Sequence, residues 1–437
     1  SQFSHCMKAN TMFYTLRPYI ILVSIVVLVY YPVLNHDFLY LWDDHWVVIN
    51  HYTTGGFSWS NLYHIFTDFY HGQFSPLNEM NYLIIYSLFG YSSFAFHLVD
   101  LGWHIINVLL VFVFLDTFLT SSQRLSTTHN RKIAFLTAFI WGIHPVNVEA
   151  VSWLSASKIL IYSAFYLLAL LSYLKFCQKR SALYYGLTLL LFFCSFLSKE
   201  QAVVFSLCTL LVDYFIGRDL KNIQLWEEKI PFSLLSIYGG LVTILSQGIS
   251  ANELVYSFSE RIFLACYALF EYLTKCLLPF KLSYLYPFPI LPGESLPVRF
   301  WIYPFILIMV VYCIYLLRKN IILFTSLFFL IHIAVALHII SISRFTVTAD
   351  RYIYLSCIGI CFFVVYTFFD KIYRVTQMKK WLMILGITVY ALYLGIYSNS
   401  YTRVWENSNS LKKELRLLLK ERKDFNQIQE LQELMLK

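Results

Sequence analysis

Ionisable residues are sparse in this sequence, and four groups of them interrupt long apolar stretches. The first reads Asn35-His36-Asp37-Phe38, followed by Trp42-Asp43-Asp44. The second runs His144-Pro145-Val146-Asn147-Val148-Glu149 to Trp153 and closes with Lys158. The third is Ser198-Lys199-Glu200 and the fourth Asp350-Arg351-Tyr352-Ile353-Tyr354. A charged side chain near a bilayer centre costs about 2.5–3.5 kcal/mol on insertion scales, so the places where a membrane chain keeps such groups are informative. Two neighbouring acids at a membrane surface can take the proton from an incoming hydroxyl. Arg351, Lys199 and Lys158 can hold a phosphate, the Arg through two parallel hydrogen bonds. An acid base beside cationic phosphate holders suits displacement of a lipid phosphate whose tail lies in the bilayer. A sugar carried on a polyprenyl phosphate is the natural substrate. The acceptor hydroxyl attacks the anomeric carbon opposite the phosphate, and the cations stabilise the charge on the departing group.

Each group also has a purely structural role open to it. Asp43 and Asp44 could cap a short helix, where acids complement the N-terminal dipole. His144-Pro145 could be a helix break, with Glu149 a solvated loop acid. Lys199-Glu200 could pair at a turn between two spans, and Asp350-Arg351 could be an ion pair that holds a loop. The functional reading rests on all four falling on one side of a membrane.

The elements that must position them are helices in lipid. Of 437 residues, 59% are hydrophobic and only 13% charged, with a mean hydropathy of +0.62. A soluble domain is about one quarter charged. A spanning helix needs about 20 apolar residues, and the backbone in hydrocarbon must satisfy its own hydrogen bonds. The expected architecture is an all-α polytopic membrane protein. Apolar runs fall at 16–34 and near 97–119, 133–153, 158–176, 182–197, 201–216, 231–247, 300–317, 321–341, 352–369 and 381–398, which makes about eleven spans. Basic residues cluster between alternate pairs: Arg124, Arg131 and Lys132, then Lys175, Lys179 and Arg180, then Arg218 and Lys221. The positive-inside rule therefore puts residues 1–15 in the cytoplasm and the four polar groups outside. Residues 259–280 carry Glu260, Arg261, Glu271 and Lys275 and read as an amphipathic helix in the outer interface. With that segment not spanning, Arg318, Lys319, Lys371 and Arg374 also face the cytoplasm. A loop at 35–91 then lies outside, as does a charged helical tail at 399–437. Residues 1–6 precede the first Met and read as an appended segment. The net charge of +8 is dispersed over short loops, which speaks against nucleic-acid binding. The nine cysteines form no CxxC pair and read as small buried hydrophobes. A divalent metal could assist the extra-membrane acids, but no His/Cys/Asp spacing specifies a metal site.

Several stretches in order resemble the GT-C glycosyltransferases that use polyprenyl-phosphate sugars. The likeness is to the transmembrane and tetratricopeptide-repeat-containing protein O-mannosyltransferases and their bacterial relatives. The stretches are Phe38-Leu39-Tyr40-Leu41-Trp42-Asp43-Asp44 with Asn50, and Phe94-Ala95-Phe96-His97-Leu98-Val99-Asp100 with Trp103-His104-Ile105-Ile106-Asn107. They continue with His144-Pro145 through Glu149, Trp153 and Lys158, then Leu197-Ser198-Lys199-Glu200. Tyr286-Pro287-Phe288-Pro289 and Ala349-Asp350-Arg351-Tyr352-Ile353-Tyr354-Leu355 with Gly359 complete the set. The resemblance covers nearly all of residues 20–410. It implies a GT-C-like catalytic domain over 16–398, with short interfacial helices in the external first loop, an inverting mechanism and a lipid-linked donor. It also implies Asp43 as general base with Asp44 beside it, and Asp350-Arg351-Tyr352 near the donor phosphate. His144, Glu149, Lys158, Lys199 and Glu200 join the expected donor site.

Two departures bear on substrate choice. Phe74-Ser75-Pro76-Leu77 stands where members of that family often carry an Arg before the Pro. The repeats that follow the membrane domain in the family have no counterpart in residues 399–437, which leaves the acceptor the least determined partner. The expected reaction is transfer of one sugar, mannose by resemblance, from a polyprenyl phosphate to a hydroxyl of an extracytoplasmic protein. A lipid or glycan acceptor is the related alternative, and a membrane transporter is the alternative of another class. The resemblance allows a bacterial inner membrane with a periplasmic site, favoured by the small size, or an endoplasmic reticulum membrane with a lumenal one.

Overall fold

The computed structural model describes residues 2–247, 256–287, 295–337 and 346–419. Phe288 and Pro289, the end of the 321–341 run and residues 420–437 of the tail lie outside the described residues. The chain is an all-α polytopic membrane protein. Among the described residues, six helices are long and apolar enough to cross a membrane: Thr15–Asn35, Ser93–Ser121, Leu154–Lys179, Ile223–Ser246, Val298–Leu317 and Gln377–Trp405. A seventh arises if Asn130–Gly142 and Pro145–Ser152, bent by 56° at their junction, count as one span.

Each of the eleven apolar runs contains a helix, yet several of those helices are short. Ala182–Ser198 has 17 residues, Phe205–Ile216 has 12, Asn320–Ile333 has 14 and Ser356–Ile372 has 17. At 1.5 Å per residue these reach about 18–26 Å, less than a hydrocarbon core of about 30 Å. Short 3-10 turns, Glu200–Val204, Ala334–Ala336 and Asp350–Ile353, take up part of three of those runs. Hydropathy registers the apolar length of a run and is blind to such a break.

The clearest break has a local cause. Pro145 holds His144 extended, at φ −72° and ψ 132°, because its ring clashes with a helical residue before it. The Trp141 carbonyl freed by the break accepts a hydrogen bond from the Asn147 side chain at 2.6 Å.

Burial separates the interior from the lipid face. The Leu154–Lys179 helix is 78% buried over its apolar window, whereas Val298–Leu317 is 6% and Gln377–Trp405 is 11% buried. Phe305, Ile308, Met309 and Val311 all point outward on an apolar helix, which is tenable only against hydrocarbon. In the centre a polar knot fixes the register of four elements. His104 donates from Nε2 to the Gly142 carbonyl at 2.9 Å, so its Nδ1 must accept from the Tyr354 hydroxyl at 2.7 Å. Asn107 donates to that same hydroxyl and to the Leu160 carbonyl, and Trp141 donates to the Tyr354 carbonyl. In a dry interior such a knot is worth most when all its members are paired.

The segment expected at 259–280 forms the helix Phe258–Leu277, opened by a Ser257/Glu260 capping box. It is not among the six long apolar helices. It buries Leu264, Ala265, Ala268, Tyr272, Lys275 and Cys276, which fall along one face. That face packs on Ile302–Leu317 and Ser356–Ile372.

Gly359 marks a close helix contact made partly by backbone. A Cβ there would meet Phe328 at 3.1 Å and the Thr325 carbonyl at 3.3 Å, and the second is backbone that cannot swing away. Gly359→Leu should therefore destabilise the protein by about 1–3 kcal/mol, read as a lower unfolding midpoint in detergent. An unchanged midpoint would mean that these helices pack less closely.

Candidate active site

The four polar groups, distant in sequence, meet through specific contacts. Asp44 is fully buried and accepts three hydrogen bonds. Its partners are the Leu39 amide at 2.8 Å, the Ser155 amide at 3.1 Å and the Ser155 hydroxyl at 2.5 Å. Ser155 precedes Lys158 by one helical turn, so this carboxylate staples the first loop to the second polar group. Burial pushes the Asp44 carboxyl up to about 6, against the pull of those donors. Asp43 behaves differently. It is part-exposed between Trp42 and Trp46 and receives the Trp46 indole N–H at 3.3 Å. Of the two acids, Asp43 is the one an incoming hydroxyl can reach.

The second and fourth groups join through Glu149 and Arg351. The guanidinium donates to Oε1 at 2.6 Å and the Arg351 amide to Oε2 at 2.8 Å. The Arg lies over the rings of Trp153, at 5.2 Å, and Tyr352, at 4.8 Å. Lys199 pairs with Glu200 at 2.8 Å and sits 5.6 Å from the centre of the Tyr352 ring. Burial would raise Glu200, but Lys199 and Lys158 overcome that and hold its carboxyl down at about 2. Lys158 donates to Gln73 Oε1 at 2.5 Å. Three cations thus share one neighbourhood with two carboxylates, Glu149 and Glu200, and with Glu79 beside Lys158, a carboxyl that burial keeps partly protonated. The excess of one positive charge, partly removed from water, favours a bound anion.

Aromatic rings close the space between the acids and the cations. Trp42 contacts Trp153 at 6.5 Å and Tyr284 at 5.4 Å, and Trp405 stacks on Trp153 at 5.8 Å. The tail brings Trp405 there by folding back. The Asp37 amide donates to the Glu406 carbonyl, and the Leu41 amide to the Ser408 hydroxyl. Among the described residues, the buried Trp153 and Trp405 Nε1 and Gln201 Oε1 have no hydrogen-bond partner.

Two expected members have other neighbours. His144 is fully buried, with Nδ1 3.4 Å from the Val146 amide and Nε2 3.2 Å from the Cys276 carbonyl, so its contacts lie in the bundle rather than with the charged groups. Asp350 is also fully buried. It meets Lys275 at 3.4 Å and accepts from the Tyr286 hydroxyl at 3.2 Å. Burial pushes its carboxyl above the usual range, and Lys275 opposes that shift. A two-residue ladder pairs Tyr286 and Pro287 with Thr346 and Thr348 and sets this contact. Lys275 and Tyr286 were not marked by spacing as partners of Asp350. Neither was Glu79, which lines a small cleft of about 40 Å³ in the first loop with Trp46, Tyr52, Tyr70 and Gln73.

This arrangement is that of a polytopic membrane protein with a charged, aromatic-walled site where its helices break. No family model matches the chain. The chain is similar to curated protein O-mannosyl-transferases, in line with the resemblance read from the sequence. Protein O-mannosyl-transferase TMTC1 of Mus musculus is 29% identical over 156 residues, 33% of this chain and 16% of the relative. Protein O-mannosyl-transferase TMTC2 of the same species is 28% identical over 183 residues, 39% of this chain and 21% of the relative. Protein O-mannosyl-transferase Tmtc1 of Drosophila melanogaster is 28% identical over 208 residues, 45% and 23% respectively. The matched regions span less than a quarter of the length of these relatives.

Glu79 gives the first loop a pH dependence. Burial pushes its carboxyl from an ordinary 4.5 up to about 7, while the Asn50 amide and Lys158 pull it down. A raised carboxyl favours the folded state while protonated. Its contribution is full below pH 4.5 and is lost as pH rises through about 7. Across that window the unfolding midpoint of Glu79→Gln should fall less than that of the parent protein. Parallel curves would show that Glu79 is solvated.

Proposed function

We propose that the protein is an inverting glycosyltransferase that moves one mannose from a polyprenyl-phosphate donor to a hydroxyl of an extracytoplasmic protein. The observation that carries this reading is the joining of an accessible acid, Asp43, to a cation group with one charge in excess, through Trp42, Trp153 and Arg351. The names of the similar proteins support the sugar and the acceptor class.

In this mechanism Lys158, Lys199 and Arg351 hold the donor phosphate, with Tyr352 and Glu200 fixing the cations. Asp350 sits behind them and sets the position of Arg351. Asp43 takes the proton of the acceptor hydroxyl as its oxygen bonds to the anomeric carbon. The bond from that carbon to the phosphate oxygen breaks, and the electron pair leaves with the phosphate. Asp44 keeps the first loop in place instead of reacting. The exposed apolar flanks of the outer helices leave room for the polyprenyl tail in lipid. The reacting face is the extracytoplasmic one, periplasmic in a bacterial inner membrane and lumenal in an endoplasmic reticulum membrane.

The test is transfer of radiolabel from synthetic polyprenyl-phosphate mannose to protein, using purified protein in detergent. Asp43→Asn should lower turnover by about 10²–10⁴-fold, the span typical of a lost general base, while donor affinity holds. Turnover equal to the parent protein would remove Asp43 from the role. Arg351→Ala should weaken donor binding, measured by titration with the same lipid, and unchanged affinity would refute the phosphate contact. Label recovered only in the lipid-extractable pool would instead identify a lipid acceptor.

A further inference from the structure

Behind the charged cluster, three elements bring soft ligands together in the dry interior. His144 stands at the break before Pro145, and Cys357 and Cys361 lie one turn apart on the Ser356–Ile372 helix. All three are buried, and one ligand atom from each lies within 4.8 Å of the others. Cys276, also buried, interacts with Cys357 from the end of the Phe258–Leu277 helix.

The geometry separates a metal site from a disulfide. The Cys357 and Cys361 sulfurs are 3.8 Å apart. Thiolates about 2.3 Å from a tetrahedral zinc stand about 3.8 Å from one another. A disulfide needs sulfurs about 2.05 Å apart and Cβ atoms about 3.5–4.5 Å apart, whereas positions i and i+4 of a helix hold their Cβ atoms about 5–6 Å apart. The pair is therefore shaped as a chelate. The His144 Nε2–H donates to the Cys276 carbonyl at 3.2 Å, within the ordinary range, whereas the Val146 amide stands 3.4 Å from Nδ1, a long contact that yields to a metal.

We propose that His144, Cys357 and Cys361 bind a structural zinc ion. Charge selects the metal. Two thiolates and Zn²⁺ sum to zero, which suits an apolar interior, whereas Cu⁺ with the same thiolates leaves a net negative charge. The site ties together the segments that present the charged cluster. His144 leads into Glu149, and Cys357 follows Arg351.

The experiment is metal analysis of the full chain, purified in detergent under reducing conditions, dialysed against zinc chloride and then freed of loose metal. About one zinc per chain is expected. X-ray absorption should show Zn–S near 2.3 Å and Zn–N near 2.0 Å. Stripping with a strong chelator should lower the unfolding midpoint, and zinc should restore it. The Cys357→Ser, Cys361→Ser double variant should bind no zinc and show no response to either reagent. The parent protein decides the matter even where the variant fails to fold. No retained zinc with a midpoint indifferent to zinc and chelator overturns the proposal, as does copper bound in place of zinc.

Discussion

The ion pair between Glu149 and Arg351 is the contact on which the arrangement of this site depends. Glu149 is almost wholly buried, and it receives both the guanidinium and the backbone amide of Arg351. Removing one partner of such a pair typically costs about 3–5 kcal/mol, because the other is left charged and unpaired. The double contact fixes the start of the Asp350–Ile353 turn against the corner that follows the His144 break. It also aims the guanidinium plane at Trp153, and through that ring at Trp42 and Trp405. Loop, corner and tail are thus referred to one guanidinium.

Secondary contacts repeat the same logic with less charge. Asp44 fastens the first loop to Ser155, and the tail fastens to the first loop through the Asp37 and Leu41 amides. In each case a backbone donor freed by irregular structure finds a specific oxygen. A membrane protein can break its helices only where such partners exist. The breaks therefore concentrate where polar side chains already are, and site and irregularity coincide.

Much of this was legible in the sequence because charge in an apolar chain is conspicuous. The runs, the four polar groups and their grouping could all be read from composition and the placement of Lys and Arg. The different fates of Asp43 and Asp44 could not, because adjacent residues look alike until Ser155 claims one of them. Lys275 was read as a charge on an interfacial helix, yet it meets Asp350 75 residues on, and no local pattern encodes that pairing. The number of spans was obscured for a related reason. A 3-10 turn such as Ala334–Ala336 is as apolar as the helix before it, so hydropathy runs through the break.

The excess positive charge shared by Lys158, Lys199 and Arg351 has a consequence for the rhythm of the reaction proposed for it. A sugar phosphodiester carries one negative charge, enough to bring the group to neutrality. Once the sugar has left, the remaining phosphate monoester carries close to two at neutral pH, since its second ionisation lies near 6. The same cations then grip the spent lipid more firmly than the fresh one. Chemistry would be quick and egress slow, with the lipid's departure, rather than bond breaking, setting the pace of each cycle.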